Sequence, residues 1–167
     1  DLLGKYRTCE AVIVDTRHNG GGWLHDDLAT LLDGEGYIRF EPRGQYIGTE
    51  PYNKWTKPSC VLIGEDNYSD ACGFPYVYKT LGIGKLIGAP VPGTMTAVWW
   101  ENQIDPSIVF GIPQVGALGV KEGRYLENMQ IEPDILVYND PASVLRGEDR
   151  QLEAAVKEML KTIDSNK

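Results

Sequence analysis

The stretch VLIGEDNYSDACGFPYVYKTL, residues 61–81, joins an apolar run to a helical pattern through a short polar turn. A continuous apolar run is typical of a strand that is covered on both faces. The pattern predicts a helix that begins at Ser69 and ends near Leu81, in spite of Pro75. Ser69 thus stands at the amino end of a helix, where a serine either caps the helix or serves as a nucleophile.

The same succession occurs earlier in the chain. EAVIVDT, residues 10–16, predicts a strand, and RHNGGG, residues 17–22, is too rich in glycine to continue it. WLHDDLATLLDG, residues 23–34, then spaces its leucines as an amphipathic helix does. Strand, turn and helix therefore occur twice, which is typical of an α/β fold.

The remaining segments extend this pattern. We predict an arm or hairpin over 36–59, strands over 60–65, 85–90 and 133–138, a β-rich stretch over 96–117, and an amphipathic helix over 148–163. The length and apolar content are those of one compact domain, so residues 1–167 are treated as a single domain.

Composition excludes several classes of partner. The net charge of -8 argues against nucleic acid or an anionic membrane surface, and no apolar run is long enough for membrane insertion. Three scattered cysteines support neither a disulfide framework nor a metal site, and we expect Cys9 and Cys60 to be core residues. We expect no metal or organic cofactor, and the sequence assigns no cellular compartment.

The two turns offer chemistry that acyl transfer requires. A serine hydroxyl is a poor nucleophile unless a base takes its proton and N–H donors receive the oxyanion. A helix start supplies one such donor, and the last glycine of the first turn, Gly22, can supply another. The alternatives are that Ser69 only caps its helix and that the glycines form a plain loop. A phosphate cradle is disfavoured by the acidic residues that follow, Asp26 and Asp27.

Three ordered motifs resemble a known family: VIVDTRHNGGG, then VLIGEDNYSDACGFPYVYKTLGIGKLIGAPVPGT, and finally GRYLENMQIEPDILVYNDP. Together they are similar to the C-terminal half of the catalytic core of tricorn-type serine peptidases, in peptidase family S41. The resemblance covers roughly residues 10–160. It implies a ClpP/crotonase-like core of repeated strand-strand-helix units, followed by the C-terminal helix.

The resemblance also implies a role for four residues. Ser69 would be the nucleophile, and the N–H groups of Asp70 and Gly22 would form the oxyanion hole. Glu127 would help to hold the histidine arrangement through a further hydroxyl. Without the resemblance, Glu127 would be interpreted as an ordinary surface carboxylate.

Two branches of the family differ in the general base. Tail-specific proteases use a lysine, but Thr94 stands at the corresponding position here, and Lys79 and Lys85 lie in the wrong motif. The tricorn-like branch requires a histidine from a preceding subdomain, and His18 and His25 do not match it. We therefore expect this chain to be the nucleophile-bearing half of a site in a longer protein, with little activity of its own.

The expected substrates are unfolded polypeptides or oligopeptides bound in extended form. The expected partners are upstream domains of the same protein, with a homo-oligomer left open. In the arm, Arg39, Arg43 and Tyr46 are candidates for substrate contact. Two other functions remain open: a crotonase-type acyl-CoA enzyme, and a non-catalytic domain for peptide binding or assembly in which Ser69 only caps a helix.

Overall fold

The computed structural model describes residues 1–166 of the chain. In chain order, the strands are β1 (Val12–Asp15), β2 (Ile38–Phe40), β3 (Gly48–Glu50), β4 (Ser59–Ile63), β5 (Lys85–Gly88), β6 (Ala97–Asn102), β7 (Val109–Val115), β8 (Leu118–Gly119), β9 (Arg124–Tyr125) and β10 (Ile135–Leu136). The α-helices are α1 (His25–Leu32), α2 (Asp70–Leu81), α3 (Pro141–Leu145) and α4 (Arg150–Ser165).

A four-stranded parallel sheet forms the centre of the fold, in the spatial order β1-β4-β5-β10. Val12 pairs with Ser59 on one side of β4, and Cys60 pairs with Lys85 on the other. All five residues of β4 are buried, as their continuous apolar sequence predicts. The turns that follow β1 and β4 therefore leave the sheet at the same edge.

Alternate side chains of β4 face two different helical layers. Val61 and Ile63 belong to the core cluster that includes residues of α1 and α2. Cys60 and Leu62 belong to a second cluster, with Ala155 of α4. Since successive strand residues point to opposite faces, the sheet lies between α1 and α2 on one side and α4 on the other.

Three antiparallel two-stranded ribbons lie outside this sheet. They are the arm β2–β3, the hairpin β6–β7 and the short pair β8–β9. The hairpin β6–β7 exposes large apolar side chains, among them Trp99, Trp100 and Phe110. The arm predicted over 36–59 and the β-rich stretch predicted over 96–117 each contain an antiparallel strand pair, as predicted.

The predicted α/β class is confirmed, and most predicted elements are found within a few residues of the observed bounds. The strand predicted over 133–138 is shorter, with only Ile135–Leu136 in the ladder. The pair β8–β9 and the short helix α3 were not predicted. The assignment to a ClpP/crotonase-like core stays a prediction.

One core prediction was wrong. Cys60 is fully buried, but Cys9 is exposed because residues 2–8 form turns and β1 begins only at Val12.

Helix α4 packs only part of its apolar stripe. Ala155 and Met159 are buried against the sheet, whereas Leu152, Val156 and Leu160 are 41–57% exposed. No helix in the described part of the chain is both long and apolar enough to cross a membrane.

Candidate active site

The turn between β4 and α2 holds Ser69 in an unusual backbone conformation. Its φ of 55° and ψ of -123° lie in a region that residues other than glycine seldom adopt, at a cost of about 1–3 kcal/mol. Ser69 occupies the N-cap position of α2, yet its side chain makes no capping hydrogen bond. The alternative in which Ser69 only caps the helix is therefore not supported.

Asn67 braces this turn from the inside. Its side chain is buried, with 1% exposure. Its Oδ1 accepts a hydrogen bond from the Gly64 amide at 3.1 Å, and its Nδ2 donates to the Ala71 carbonyl at 2.9 Å and to Thr16 Oγ1 at 3.0 Å. Buried polar groups satisfied in this way define a single geometry, so Asn67 fixes the path of the chain on both sides of Ser69.

The glycine turn lies directly against the serine. A Cβ atom on Gly21, whose φ is +103°, would lie 2.7 Å from the Cβ of Ser69 and 2.8 Å from the carbonyl oxygen of Tyr68. A Cβ on Gly22, whose φ is +150°, would meet nothing within 4 Å. The Tyr68 amide also donates to the Asn19 carbonyl at 3.1 Å. Gly21 therefore permits close contact between the two turns, and Gly22 borders open space.

Asp70 joins the starts of the two helices. Its carboxylate accepts hydrogen bonds from the amides of Leu24 at 2.8 Å and His25 at 3.2 Å, and it pairs with His25 Nδ1. Its side chain is only 10% exposed. The residue next to the serine thus holds the chain two to three positions after Gly22, so the two turns are fixed relative to each other.

The two backbone amides predicted to form the oxyanion hole have no hydrogen-bond acceptor among the described residues. Among residues 1–166, the amide N–H groups of Gly22 and Asp70 have no hydrogen-bond acceptor. Free N–H groups at a helix start carry partial positive charge, which suits a developing anion.

Glu127 lies beside the turn at residues 94–96, which contacts the first turn of α2. Its Oε2 accepts hydrogen bonds from the amides of Met95 at 2.8 Å and Thr96 at 2.7 Å. Burial raises the pKa of the Glu127 carboxyl, but these hydrogen bonds outweigh burial and the pKa lies below its ordinary value. Thr94, in the same turn, lies beside the Cys72 thiol in the first turn of α2. Glu127 is therefore an ionised carboxylate that holds Met95 and Thr96, the two residues that follow Thr94.

Both histidines pair with aspartates of the turn that carries Ser69. His18 pairs with Asp66 at 2.5 Å, on an exposed surface, and His25 pairs with Asp70. In the described residues neither histidine makes a hydrogen bond to Ser69. The sequence prediction treated these histidines as loop or surface residues and missed their contacts, although both follow the first strand closely in the sequence.

Lys79 and Lys85, which the sequence analysis set aside as general bases, both have partners away from Ser69. Lys79 Nζ donates to the Glu132 carbonyl at 2.6 Å, and Lys85 pairs with Glu158 of α4 at 2.5 Å.

In the arm, Arg39 lies 4.9 Å from the centre of the Tyr46 ring, so two of the arm residues expected to contact substrate also contact each other.

Arg17 connects the glycine turn to the C-terminal helix. Its guanidinium donates to the carboxylates of Asp15 and Asp149 and, at 2.9 Å, to Gln151 Oε1. The Arg17 side chain is 11% exposed, and its hydrogen bonds hold the pKa of Asp149 below the usual range.

In residues 1–166 no group of His, Cys, Asp or Glu is arranged to bind a metal ion.

Comparisons with known proteins identify the family of this chain. The sequence model of Peptidase family S41 matches residues 2–137. The tricorn protease of Thermoplasma acidophilum is 25% identical over 154 residues, which are 92% of this chain and 14% of that protein. The tricorn protease of Thermoplasma volcanium is 26% identical over 156 residues, covering 93% of this chain and 15% of that protein.

The fold comparison gives the same result. The crystal structure of the tricorn protease superposes with a TM-score of 0.81 at 25% identity, covering 93% of this chain and 15% of that chain. This chain thus spans less than a fifth of the length of these relatives. The chain belongs to peptidase family S41 and is similar over nearly its whole length to tricorn-type members of that family.

Proposed function

We propose that this chain carries the nucleophile of a serine endopeptidase or oligopeptidase site, with Ser69 as the attacking residue. The single observation that carries the proposal is the left-handed conformation of Ser69 at the start of α2, with a hydroxyl that caps nothing. Strained residues of this kind occur at strand-to-helix turns that present a nucleophile. Membership of family S41 favours a peptidase over a crotonase-type acyl-CoA enzyme.

The amides of Gly22 and Asp70 would form the oxyanion hole. They lie on two turns that contact each other at Gly21 and through the Asp70 carboxylate, and neither has an acceptor among the described residues. Removing one such donor from a serine hydrolase typically costs 10²–10³-fold in rate. The two free amides thus account for stabilisation of the tetrahedral intermediate.

The reaction would follow acyl transfer. Ser69 Oγ forms a bond to the peptide carbonyl carbon while a base takes the hydroxyl proton. The C–N bond then breaks, and the leaving amine takes that proton from the base. Water, deprotonated by the same base, releases the acyl group and restores Ser69.

The base in this proposal is a histidine outside residues 1–167. The Nδ1 atoms of His18 and His25 are engaged with aspartates, and neither ring bonds to Ser69. Glu127 would order the incoming histidine through a further hydroxyl. The Met95 and Thr96 amides both donate to Oε2, and the Thr96 hydroxyl also stabilises the ionised carboxylate, so Glu127 keeps the charge with which it would accept a hydrogen bond from that hydroxyl.

The proposal is tested by reaction of the full-length protein with a fluorophosphonate probe. We expect covalent labelling at Ser69, identified by peptide mapping, and none in Ser69→Ala. Residues 1–167 alone should react several orders of magnitude more slowly, because the base is absent. The variant His18→Ala, which alters an exposed pair with Asp66, should retain labelling within about threefold of the unmodified protein, since the base is elsewhere. Binding of an acyl-CoA ester without labelling would favour the crotonase-type alternative.

A further inference from the structure

We propose that a cavity between the arm β2–β3 and the turns that precede β1 binds a carboxylate side chain, Asp or Glu, of an acidic polypeptide segment. The cavity has a volume of about 350 Å³, which is within the range of ligand pockets in proteins. Its lining comes from residues 3–8 and 46–57. This site is separate from Ser69 and goes beyond the proposed function.

The cavity lies toward the opposite end of the central sheet from the proposed active site. Lys57, which lines the cavity, comes two residues before β4 begins at Ser59, whereas Ser69 follows the end of that strand at Ile63. The five residues of β4 span about 16 Å at about 3.3 Å per residue. A side chain bound in the cavity therefore lies well beyond contact distance of the serine.

Positive charge collects in this cavity. Arg7, Lys54 and Lys57 line it, and the lining contains no Asp or Glu. In residues 1–166 none of these three cations forms an ion pair with a carboxylate, whereas Arg17 and Arg150 each do. The cavity is thus a local excess of positive charge in a chain whose net charge is -8.

The hydrogen bonds of these cations leave donors unused. Arg7 Nε donates to the Leu3 carbonyl at 2.7 Å and Nη2 donates to the Tyr52 carbonyl, but Nη1 has no acceptor among the described residues. Lys57 Nζ donates to the carbonyls of Arg7 and Cys9, each at 2.6 Å, and an ammonium has three N–H groups. Carbonyl oxygens accept these bonds without neutralising the charge. An anion in the cavity therefore meets both positive charge and available donors.

Aromatic rings hold two of the cations in place. The Arg7 guanidinium lies 5.5 Å from the centre of the Tyr52 ring, and Lys57 Nζ lies 5.2 Å from the centre of the Trp55 ring. Trp55 itself is buried, with 2% exposure. Because the charged groups are already positioned, little side-chain entropy is lost when a ligand binds.

The donor set fits a carboxylate better than a phosphate. Phosphate sites in proteins commonly present the N–H groups of a helix start or a backbone nest, or a cluster of arginines. This lining contains one arginine, Arg7, and none of its residues belongs to an α-helix. A guanidinium with one free nitrogen beside an ammonium matches the single charge of a carboxylate.

The rim of the cavity suits a polypeptide. Tyr46 and Ile47 line it and are 53% and 63% exposed. An acidic side chain can enter the cavity while apolar neighbours in the same segment cover these two residues. The negative charge elsewhere on the protein is screened beyond about 8 Å at physiological ionic strength, so the cations of the cavity dominate.

The test is fluorescence anisotropy with the full-length protein carrying Ser69→Ala, which removes the proposed nucleophile so that the peptide stays intact. The probe is a peptide with Leu-Glu-Leu at its centre, a neutral fluorophore at its amino end and an amidated carboxyl end. The Glu side chain is thus its only carboxylate. Replacing that Glu by Gln should raise Kd roughly tenfold or more, as expected for loss of a hydrogen bond to a charged group.

Matched variants place the site on the protein. Thr8 is an exposed residue of the lining. Thr8→Glu puts a competing carboxylate in the cavity and should raise Kd roughly tenfold, whereas the uncharged Thr8→Gln should change it less than about threefold. Thr30→Glu adds the same charge at an exposed position of α1 outside the lining, and it should also stay within about threefold. Circular dichroism confirms the fold of each variant.

Three results would overturn the inference. They are equal affinity for the Glu and Gln peptides, equal effects of Thr8→Glu and Thr30→Glu, and displacement of the peptide by inorganic phosphate at a lower concentration than by acetate at the same ionic strength. Fluorophosphonate labelling of the unmodified protein is a separate measurement. Its failure would overturn the proposed function and leave this inference standing.

Discussion

The two turns that precede α1 and α2 leave the same edge of the sheet but are held in opposite ways. The turn at 64–69 is braced from within by the buried side chain of Asn67. The turn at 17–24 contains no buried residue and is held from outside, by Asp66 and Asp70 of its neighbour. The turn that carries Ser69 is thus fixed by its own interior, whereas the glycine turn takes its position from contacts with that neighbour.

The largest change in stability should come from removing the buried Asn67 side chain. Asn67→Ala leaves a buried amide, a carbonyl and a hydroxyl without their partner, and we expect unfolding free energy to fall by about 3 kcal/mol, measured by urea denaturation. Fluorophosphonate labelling of Ser69 should fall with it. Asn19→Ala, in the exposed turn, should cost less than about 1 kcal/mol. Equal losses would contradict the difference between the turns.

Gly21 tests the contact between the turns. In Gly21→Ala the new Cβ meets Ser69 and Tyr68 at under 3 Å, in a backbone conformation that favours glycine. We expect a loss of about 2 kcal/mol and slower labelling. Gly20→Ala, where nothing lies within 4 Å, should stay within about 0.5 kcal/mol. If Gly21→Ala kept its stability and its labelling rate, close contact between the two turns would not be required.

Asp70 tests how the outer turn is fixed. Asp70→Asn keeps the amide proposed for the oxyanion hole but weakens the contacts to Leu24 and His25. We expect a loss of about 1 kcal/mol in stability and roughly tenfold in labelling rate.

The matched variant is Asp66→Asn, which alters the exposed pair with His18. It should change stability by less than about 0.5 kcal/mol and leave labelling unchanged. Equal changes in stability and labelling rate for Asp66→Asn and Asp70→Asn would contradict the claim that Asp70 fixes the glycine turn.

The smallest effect concerns the strain itself. Ser69→Gly relieves the left-handed backbone, whereas Ser69→Ala does not. The conformational entropy that glycine loses on folding offsets part of this gain, so the glycine variant should be more stable by about 0.5 kcal/mol. Neither variant should label. The two midpoints of urea unfolding measure the difference, and identical midpoints would show that the turn relaxes around alanine.

Local patterns were sufficient to predict most of the fold. β4 and α2 follow from an apolar run and a helical spacing, whereas β8–β9 and α3 are too short for periodicity to show. For α3, the cap at Asp140 followed by Pro141 was a usable signal in the sequence.

The site was less predictable because its contacts are distant in sequence. The serine and the glycine turn stand out as motifs, but Asp70 meets His25 across 45 residues and Glu127 meets Met95 across 32. No local pattern encodes such pairs. Glu127 looks like a surface carboxylate in the sequence, and only the fold shows the two amides that it holds.

The Arg17 contact to Asp149 spans 132 residues and has a consequence for synthesis of the protein. A nascent chain on the ribosome exposes the serine long before Asp149 has been translated. Until then Arg17 lacks a partner in α4, and the loop that it anchors is not yet locked in place. The glycine turn is therefore fixed to α4 only after the carboxyl-terminal part of the chain has emerged.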